Sequence, residues 1–299
     1  MIPATSNLDP WEYQYVKHID PKYLGVIAWT DPEACGRYPT FQWVYDKHDL
    51  SQRMGVKSWD LEVELPDYYP CFVKPKYNLW GMGESAYKCS HPDKLPIKKE
   101  GFIAQEFFKG GHLSTDFVIF DSEIVDHFSF IGHKDYEGSF NLWESAKRYS
   151  DEAYLLAEIL CHYGIGHAVI NVETINGRVI EAHLRPSVQF ADISGRILNQ
   201  ALACFFKDKQ YIPRAREYEK TYSHVYRMEQ DAIVYPKYDV IKLPIGVRSV
   251  QRCWEPGLPL SACAQDATSY RYMVINGNDL KAIDAFALTM IESLQFRFI

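Results

Sequence analysis

The stretch of chain densest in groups able to do chemistry is residues 169–185: Val-Ile-Asn-Val-Glu-Thr-Ile-Asn-Gly-Arg-Val-Ile-Glu-Ala-His-Leu-Arg. In a strand, alternate residues face opposite sides of the sheet. Ile170, Val172, Ile180, Ala182 and Leu184 are even and apolar. Asn171, Glu173, Glu181, His183 and Arg185 are odd and polar or charged. Two strands joined near Asn176-Gly177 would therefore each show one core face and one polar face. A two-residue turn would pair Glu173 with Ile180 and mix the faces. A three-residue loop, Ile175-Asn176-Gly177 with Gly177 left-handed, aligns them and sets Asn171 opposite Glu181. The polar face then collects two carboxylates, an amide, an imidazole and a guanidinium. Hard divalent cations such as Mg²⁺ take carboxylate and amide oxygens and keep positions open for phosphate oxygens. An arginine beside them suits a phosphate or a carboxylate. The same alternation also describes the solvated face of an edge hairpin, so taken alone the hairpin leaves both open.

The elements that would position this hairpin follow from periodicity and punctuation. Leu24–Trp29 reads as a strand, and Tyr45–Gly55 as a short helix with Leu50 and Met54 at helical spacing. Tyr69–Pro75 is a short buried strand running into a loop, Lys76–Ser85, rich in glycine and aromatics. Phe102–Phe108 is a further strand, broken by Gly110-Gly111. Leu113–Phe120 and Glu123–Ile131 form a hairpin around Asp121-Ser122. Ser150 caps a helix with Leu155, Leu156, Ile159, Leu160 and Tyr163 on one face, and Gly164 stops it. Ile193–Phe206 reads as a helix. Residues 222–275 read as short strands, clearest at Tyr270–Ile275, and Asp279 caps a final helix. The class is α+β, without internal repeats.

These landmarks, in order, resemble the ATP-grasp family. Glu181-Ala-His183-Leu-Arg185 is similar to the Glu-x-Asn-x-Arg signature that closes that family's metal site. Glu173 resembles its first metal-binding carboxylate. His183 stands where the family has Asn, and the eight-residue separation of the carboxylates is short for the family. Asn171 could take the amide role. Asp46-Lys47 resembles the start of the first ATP-binding subdomain, and the strand ending at Lys74 resembles the one carrying the second phosphate lysine. Gly81, Gly83 and Ser85 resemble the glycine-rich loop over the phosphates, whose backbone amides can cradle anionic oxygens. Gln105, Glu106, Phe107 and Phe108 look like the hinge strand beside adenine and ribose. His112 and Asp116 fall where the family has ribose- or metal-facing groups.

The resemblance implies an ATP-grasp fold of two α/β subdomains: residues 45–110 with the glycine-rich loop and 111–207 with the metal site. Residues 1–44 would be a truncated remnant of the preceding α/β domain, and 208–299 a C-terminal lid. It implies ATP with Mg²⁺, or Mn²⁺, held through Glu173, Glu181, His183 and Asn171. Lys74 and Arg185 would act in catalysis, in a ligase joining a carboxylate to an amine or similar nucleophile through an acyl phosphate. A nucleotide-binding protein that keeps the fold without catalysis is the alternative. Ser187, Gln189, Asp192 and Ser194, which follow the signature, would lie near the acceptor or form a plain polar loop. Partners would be small-molecule carboxylates and amines, and the resemblance admits a homodimer.

Composition agrees with that class. The chain has 299 residues and a formal charge of -7, with no basic stripe, which argues against nucleic acid as a general partner. No apolar run is long enough to span a bilayer, and Met1–Pro10 has no signal-peptide pattern. Seven cysteines at irregular spacing, without CxxC, read as reduced thiols of a cytoplasmic protein.

Overall fold

The computed structural model describes residues 19–77, 85–95, 99–136, 139–191, 193–207, 211–212, 219–237, 242–263, 265–266 and 269–299. Gly81, Gly83 and Asp192 lie outside them. The strands are β1 (Ser58–Asp60), β2 (Cys71–Pro75), β3 (Tyr87–Cys89), β4 (Phe102–Glu106), β5 (His112–Phe120), β6 (Glu123–Tyr136), β7 (Ser139–Ala146), β8 (Ala168–Ile175) and β9 (Arg178–His183). They continue as β10 (Tyr222–Met228), β11 (Ala232–Pro236), β12 (Val247–Arg252), β13 (Gln265–Asp266), β14 (Ser269–Gly277) and β15 (Leu294–Phe298). The helices are α1 (Asp31–Arg37), α2 (Lys47–Arg53), α3 (Asp151–His162), α4 (Gly195–Lys207) and α5 (Leu280–Glu292).

Among the described residues the strands form one small sheet in the order β1-β4-β2-β3, one large sheet running β12-β14-β10-β7-β6-β5-β8-β9, and the pair β11-β15. All of these pairings are antiparallel. One face of the large sheet packs on α2 and α3 through Leu50, Phe117, Leu156, Leu160, Ile170 and Val172. The other face packs on α4 through Val118, Phe130, Val169, Leu198 and Leu202. Strands from the 208–299 segment extend this same sheet, and α5 covers them with a core of its own around Ile275, Ile283 and Phe286. No helix among the described residues is long and apolar enough to cross a membrane.

The expected strand at Leu24–Trp29 is not formed. Its carbonyls are taken by side chains: Trp29 Nε1 donates to Leu24 O at 2.7 Å, and Arg37 donates to Gly25 O and Val26 O. The chain therefore turns instead of pairing. Thr30 then caps α1 by accepting from Glu33 N, with Pro32 in its first turn. The helix α3 forms where expected, capped by Ser150, but its buried face is Ala153, Leu156, Ala157 and Leu160. Leu155 and Tyr163 are exposed. The small alanines allow the helix to lie close on the sheet, so the larger neighbours fall outside the contact.

The hairpin β8–β9 differs in register from the expectation. Its turn is the two-residue one: Asn176 and Gly177 have φ of 51° and 82°, the two left-handed residues of a type I′ turn. Pairing starts as Ile175↔Arg178 and Thr174↔Val179, then shifts so that Glu173 faces Glu181 and Asn171 faces His183. Asn171 is thus not opposite Glu181. The shift is a β-bulge with Ile180 as the extra residue, and it repairs the parity that the short turn would have broken. Val179 takes the core position in place of Ile180, which lines the cleft described below.

Ser150 ties this turn to α3. Its hydroxyl donates to Gly177 O at 2.6 Å and accepts from Ala153 N at 3.4 Å. We expect Ser150→Ala to lose the cap and the tether together, at about 1–2 kcal/mol. Urea unfolding measures it; an unchanged midpoint would show that the turn is held by other contacts.

Candidate functional site

A cleft separates the small sheet from the β8–β9 end of the large one. Its volume is about 210 Å³, and it is lined by Lys47, Phe72, Lys74, Pro75, Ala86, Gln105, Glu106, Phe107, Phe108, Gly110, His112, Lys134, Ile175, Ile180 and Glu181. Phe72, Phe107, Phe108 and Ile180 give it an apolar slot suited to a planar ring, and Lys47, Lys74, His112 and Glu181 give it a polar lining.

The charge of the site rests on two carboxylates. Glu173 and Glu181 are direct cross-strand partners, and their side chains keep 27 % and 22 % exposure. Lys47, at the start of α2 behind the Asp46 cap, brings Nζ to 2.9 Å from Glu181 Oε1. His112 Nε2, from β5, lies 3.0 Å from Glu173 Oε2, off the line of a good hydrogen bond. Burial would raise both carboxyls, but at Glu173 His112, with His183 and Arg185 behind it, outweighs burial and holds the group below the usual range. At Glu181, Lys47 and then His183 outweigh burial and hold the group below the usual range. Both are anions at neutral pH.

Lys74 crosses the cleft. Its Nζ donates to Gln105 Oε1 at 2.9 Å and to Ile180 O at 2.7 Å. The second acceptor is the carbonyl of the bulge residue, which the shifted ladder leaves without a strand partner. Gln105 is oriented in turn by Ser51, to which its Nε2 donates at 2.8 Å. Gln105 is therefore a buried holder of Lys74 on β4. Burial, and next the charge of Lys47, push the Lys74 ammonium down to about 7.

His183 and Arg185 meet a residue that the sequence reading did not single out. Asp31, in the first turn of α1, is 2 % exposed. Its two carboxylate oxygens each lie 3.0 Å from His183 Nδ1, and Oδ2 accepts from Arg185 at 2.8 Å. Burial would raise the Asp31 carboxyl, but Arg185 and His183 hold it well below the usual range. Burial would lower the His183 imidazole, yet Asp31 holds it above its ordinary value. Thr30-Asp31-Pro32 does carry a helix-start pattern. What the sequence could not indicate is a partner 152 residues away.

Asp116 was expected to face the ribose or a metal. Instead it is 1 % exposed, with its oxygens occupied by Asn171 Nδ2 at 2.7 Å and Ser187 N at 3.0 Å. It tethers the loop after β9 to the sheet, and burial raises its carboxyl to about 7. Asn171 gives its amide nitrogen to Ser114 and Asp116, so only its oxygen could turn toward a cation. Ser85, left-handed at φ 62°, does not line the cleft.

The donor set fits a hard divalent cation bound together with a nucleotide. Glu173 and Glu181 offer ionised oxygens, partly open, and Glu181 lines the cleft. Among the described residues no three His, Cys, Asp or Glu side chains form a complete cation cage. The rest of a coordination shell would come from phosphate oxygens and water.

A scan against protein-family models and a search of curated sequences each returned no match. Solved structures do match. An L-amino acid ligase from Bacillus licheniformis is 13% identical with a TM-score of 0.59, over 87% of this chain and 74% of that one. The biotin carboxylase domain of Hydrogenobacter thermophilus 2-oxoglutarate carboxylase, solved with MgADP, ADP and bicarbonate, is 12% identical with a TM-score of 0.62, over 87% and 68%. A biotin carboxylase from Campylobacter jejuni, solved as an ATP complex, is 12% identical with a TM-score of 0.59, over 89% and 72%. The chain has the ATP-grasp fold.

Lys74 yields a pH prediction for the nucleotide-free protein. With about 7 in the folded state against an ordinary 10.5, the unfolded chain binds more protons between those values. Folded stability from this group therefore rises as pH climbs through that window. Relative to Lys74→Met, the wild type should gain stability from pH 7 to about 10; a difference flat in pH would refute the burial of a strained ammonium.

Proposed function

We propose that this protein is an ATP- and Mg²⁺-dependent ligase that joins a carboxylate to an amine or similar nucleophile. The observation that supports it most is the pair of ionised carboxylates, Glu173 and Glu181, facing each other across the ladder, with Glu181, Lys47 and Lys74 lining one cleft. Anionic and cationic groups at that spacing suit a metal–triphosphate better than any single small ion. Among the described residues the carboxylates have no partner poised as a nucleophile, so positioning and charge neutralisation are the chemistry on offer.

In this reading the apolar slot of Phe72, Phe107, Phe108 and Ile180 takes the adenine. Lys74 leaves the Ile180 carbonyl for a phosphate oxygen, and that anion restores its full charge. Lys47 moves from Glu181 to the phosphates in the same way. Glu173 and Glu181 would hold Mg²⁺, which would supply charge neutralisation to the transferring phosphoryl group. Arg185, oriented by Asp31, lies at the signature's end, where it can pair with the substrate carboxylate. The phosphoryl group passes to that carboxylate, and the amine displaces phosphate from the acyl phosphate, leaving ADP, phosphate and an amide. The likeness to a structure named as an L-amino acid ligase supports an amino acid as the carboxylate to try first.

His183 in the family's Asn position favours a second reading, a nucleotide-binding protein without turnover. ADP release separates the two. Amino acid pairs should stimulate ADP formation in the wild type, Lys74→Ala should lose nucleotide binding, and Glu181→Gln should reduce turnover by a factor of about 100 or more. Tight Mg-dependent ATP binding with no ADP formed under any pair of small carboxylates and amines would select the second reading.

A further inference from the structure

We propose that Lys74 is a modification site: an amine nucleophile inside the cleft that small acyl phosphates acylate, so that the acyl group and a nucleotide exclude each other there. The nucleophile is argued from the geometry around Nζ; only the mutual exclusion rests on the nucleotide reading of the cleft.

Lys74 is 6 % exposed and lines the cleft. Its Nζ meets two neutral acceptors, Gln105 Oε1 at 2.9 Å and Ile180 O at 2.7 Å. Among the described residues no carboxylate lies within ion-pairing distance of it. A buried ammonium carries a charge and three N–H donors, and it needs partners for all of them. A neutral amine has two N–H donors and one lone pair. The two acceptors therefore match the neutral form and leave the lone pair uncommitted. The charged groups acting on Nζ come from three elements. Lys47 on α2 opposes the ammonium, whereas Glu181 on β9 and Glu173 on β8 favour it. Desolvation first and Lys47 next prevail, and the group is pushed down to about 7. His112, Glu106 and Lys134 complete the titratable lining of the cleft. A lysine desolvated in an apolar pocket beside a second cation is an activated nucleophile. At neutral pH a large share of Lys74 is free amine, against less than about one part in a thousand for an ordinary lysine.

The cleft also selects the electrophile. Its volume of about 210 Å³ admits a small acyl phosphate. Lys47 offers a cation to the phosphate, and Phe72, Phe107 and Phe108 offer an apolar surface to the acyl chain. In the step, the Nζ lone pair attacks the acyl carbon and the bond from that carbon to the phosphate oxygen breaks. Phosphate leaves with the electron pair and takes up the proton that nitrogen loses. The products are an N-acyl-lysine and inorganic phosphate. Acylation removes the charge of Lys74, and with it a cation that a nucleotide would use. A phosphate bound beside Lys74 does the reverse, because it favours the ammonium, which has no lone pair.

The test incubates full-length protein with acetyl phosphate and follows acetylation of each lysine by mass spectrometry. Lys74 should react at least about tenfold faster at neutral pH than the exposed Lys109 and Lys281. Its rate should level off above a midpoint of about 7, whereas theirs should keep rising toward about pH 10. Lys47→Met should move the Lys74 midpoint to higher pH, because the opposing charge is gone. Lys74→Arg should remove the fast site and leave the rates at Lys109 and Lys281 as they were. A non-hydrolysable ATP analogue with Mg²⁺ should protect Lys74, and the acetylated protein should bind that analogue at least about tenfold more weakly. If Lys74 reacts no faster than the two exposed lysines, or its midpoint lies with theirs, the inference falls and the nucleotide reading stands. Fast acetylation that the analogue does not slow overturns the mutual exclusion and counts against the nucleotide reading, while the nucleophile stands.

Discussion

Two ionised carboxylates set directly opposite on neighbouring strands repel each other, and Glu173 faces Glu181. The architecture around the cleft can be read as the answer to that constraint. Cationic or protonatable side chains arrive from several elements: Lys47 from α2, His112 from β5, and His183 from β9 itself. Lys74 reaches in from the small sheet. Each reduces the repulsion.

The same constraint explains why so many polar groups here are buried yet paired. Gln105 and Ser51 exist, energetically, to hold Lys74; Asn171 and Ser114 hold Asp116, which in turn holds the loop after β9. A buried polar group is tolerable only when it is hydrogen-bonded. The supporting groups are thus determined by the groups they support. A change at Gln105 would be felt at Lys74, across the cleft from the carboxylates.

Much of this was legible in the sequence, for identifiable reasons. Alternation over β8 and β9 assigned Glu173, Glu181 and His183 to one face, because the two-residue period of a strand is insensitive to tertiary context. Caps at Ser150 and Asp279 marked two helices, because capping is local. The register was misjudged because a short turn and a bulge together give the same parity as a longer loop. The strand at 24–29 was misjudged because distant side chains compete for its carbonyls. Asp31 and the cleft-lining Phe72 went unnoticed because their roles depend on chain segments far off in sequence, which no local pattern encodes.

The pairing of Asp31 with His183 spans 152 positions, and this separation has a bearing on how the molecule matures. Part of the large sheet is built from hairpins between near neighbours, such as β5–β6 and β8–β9, which can zip up early. The segment bearing Asp31 can find its place only once the β8–β9 hairpin exists to receive it. During synthesis the ribosome must therefore release more than half the polypeptide before the first and last contributors to the ion pocket can meet. Newly made chains would pass through a stage that is folded over much of its length and still chemically silent, with function arriving as the final act of assembly.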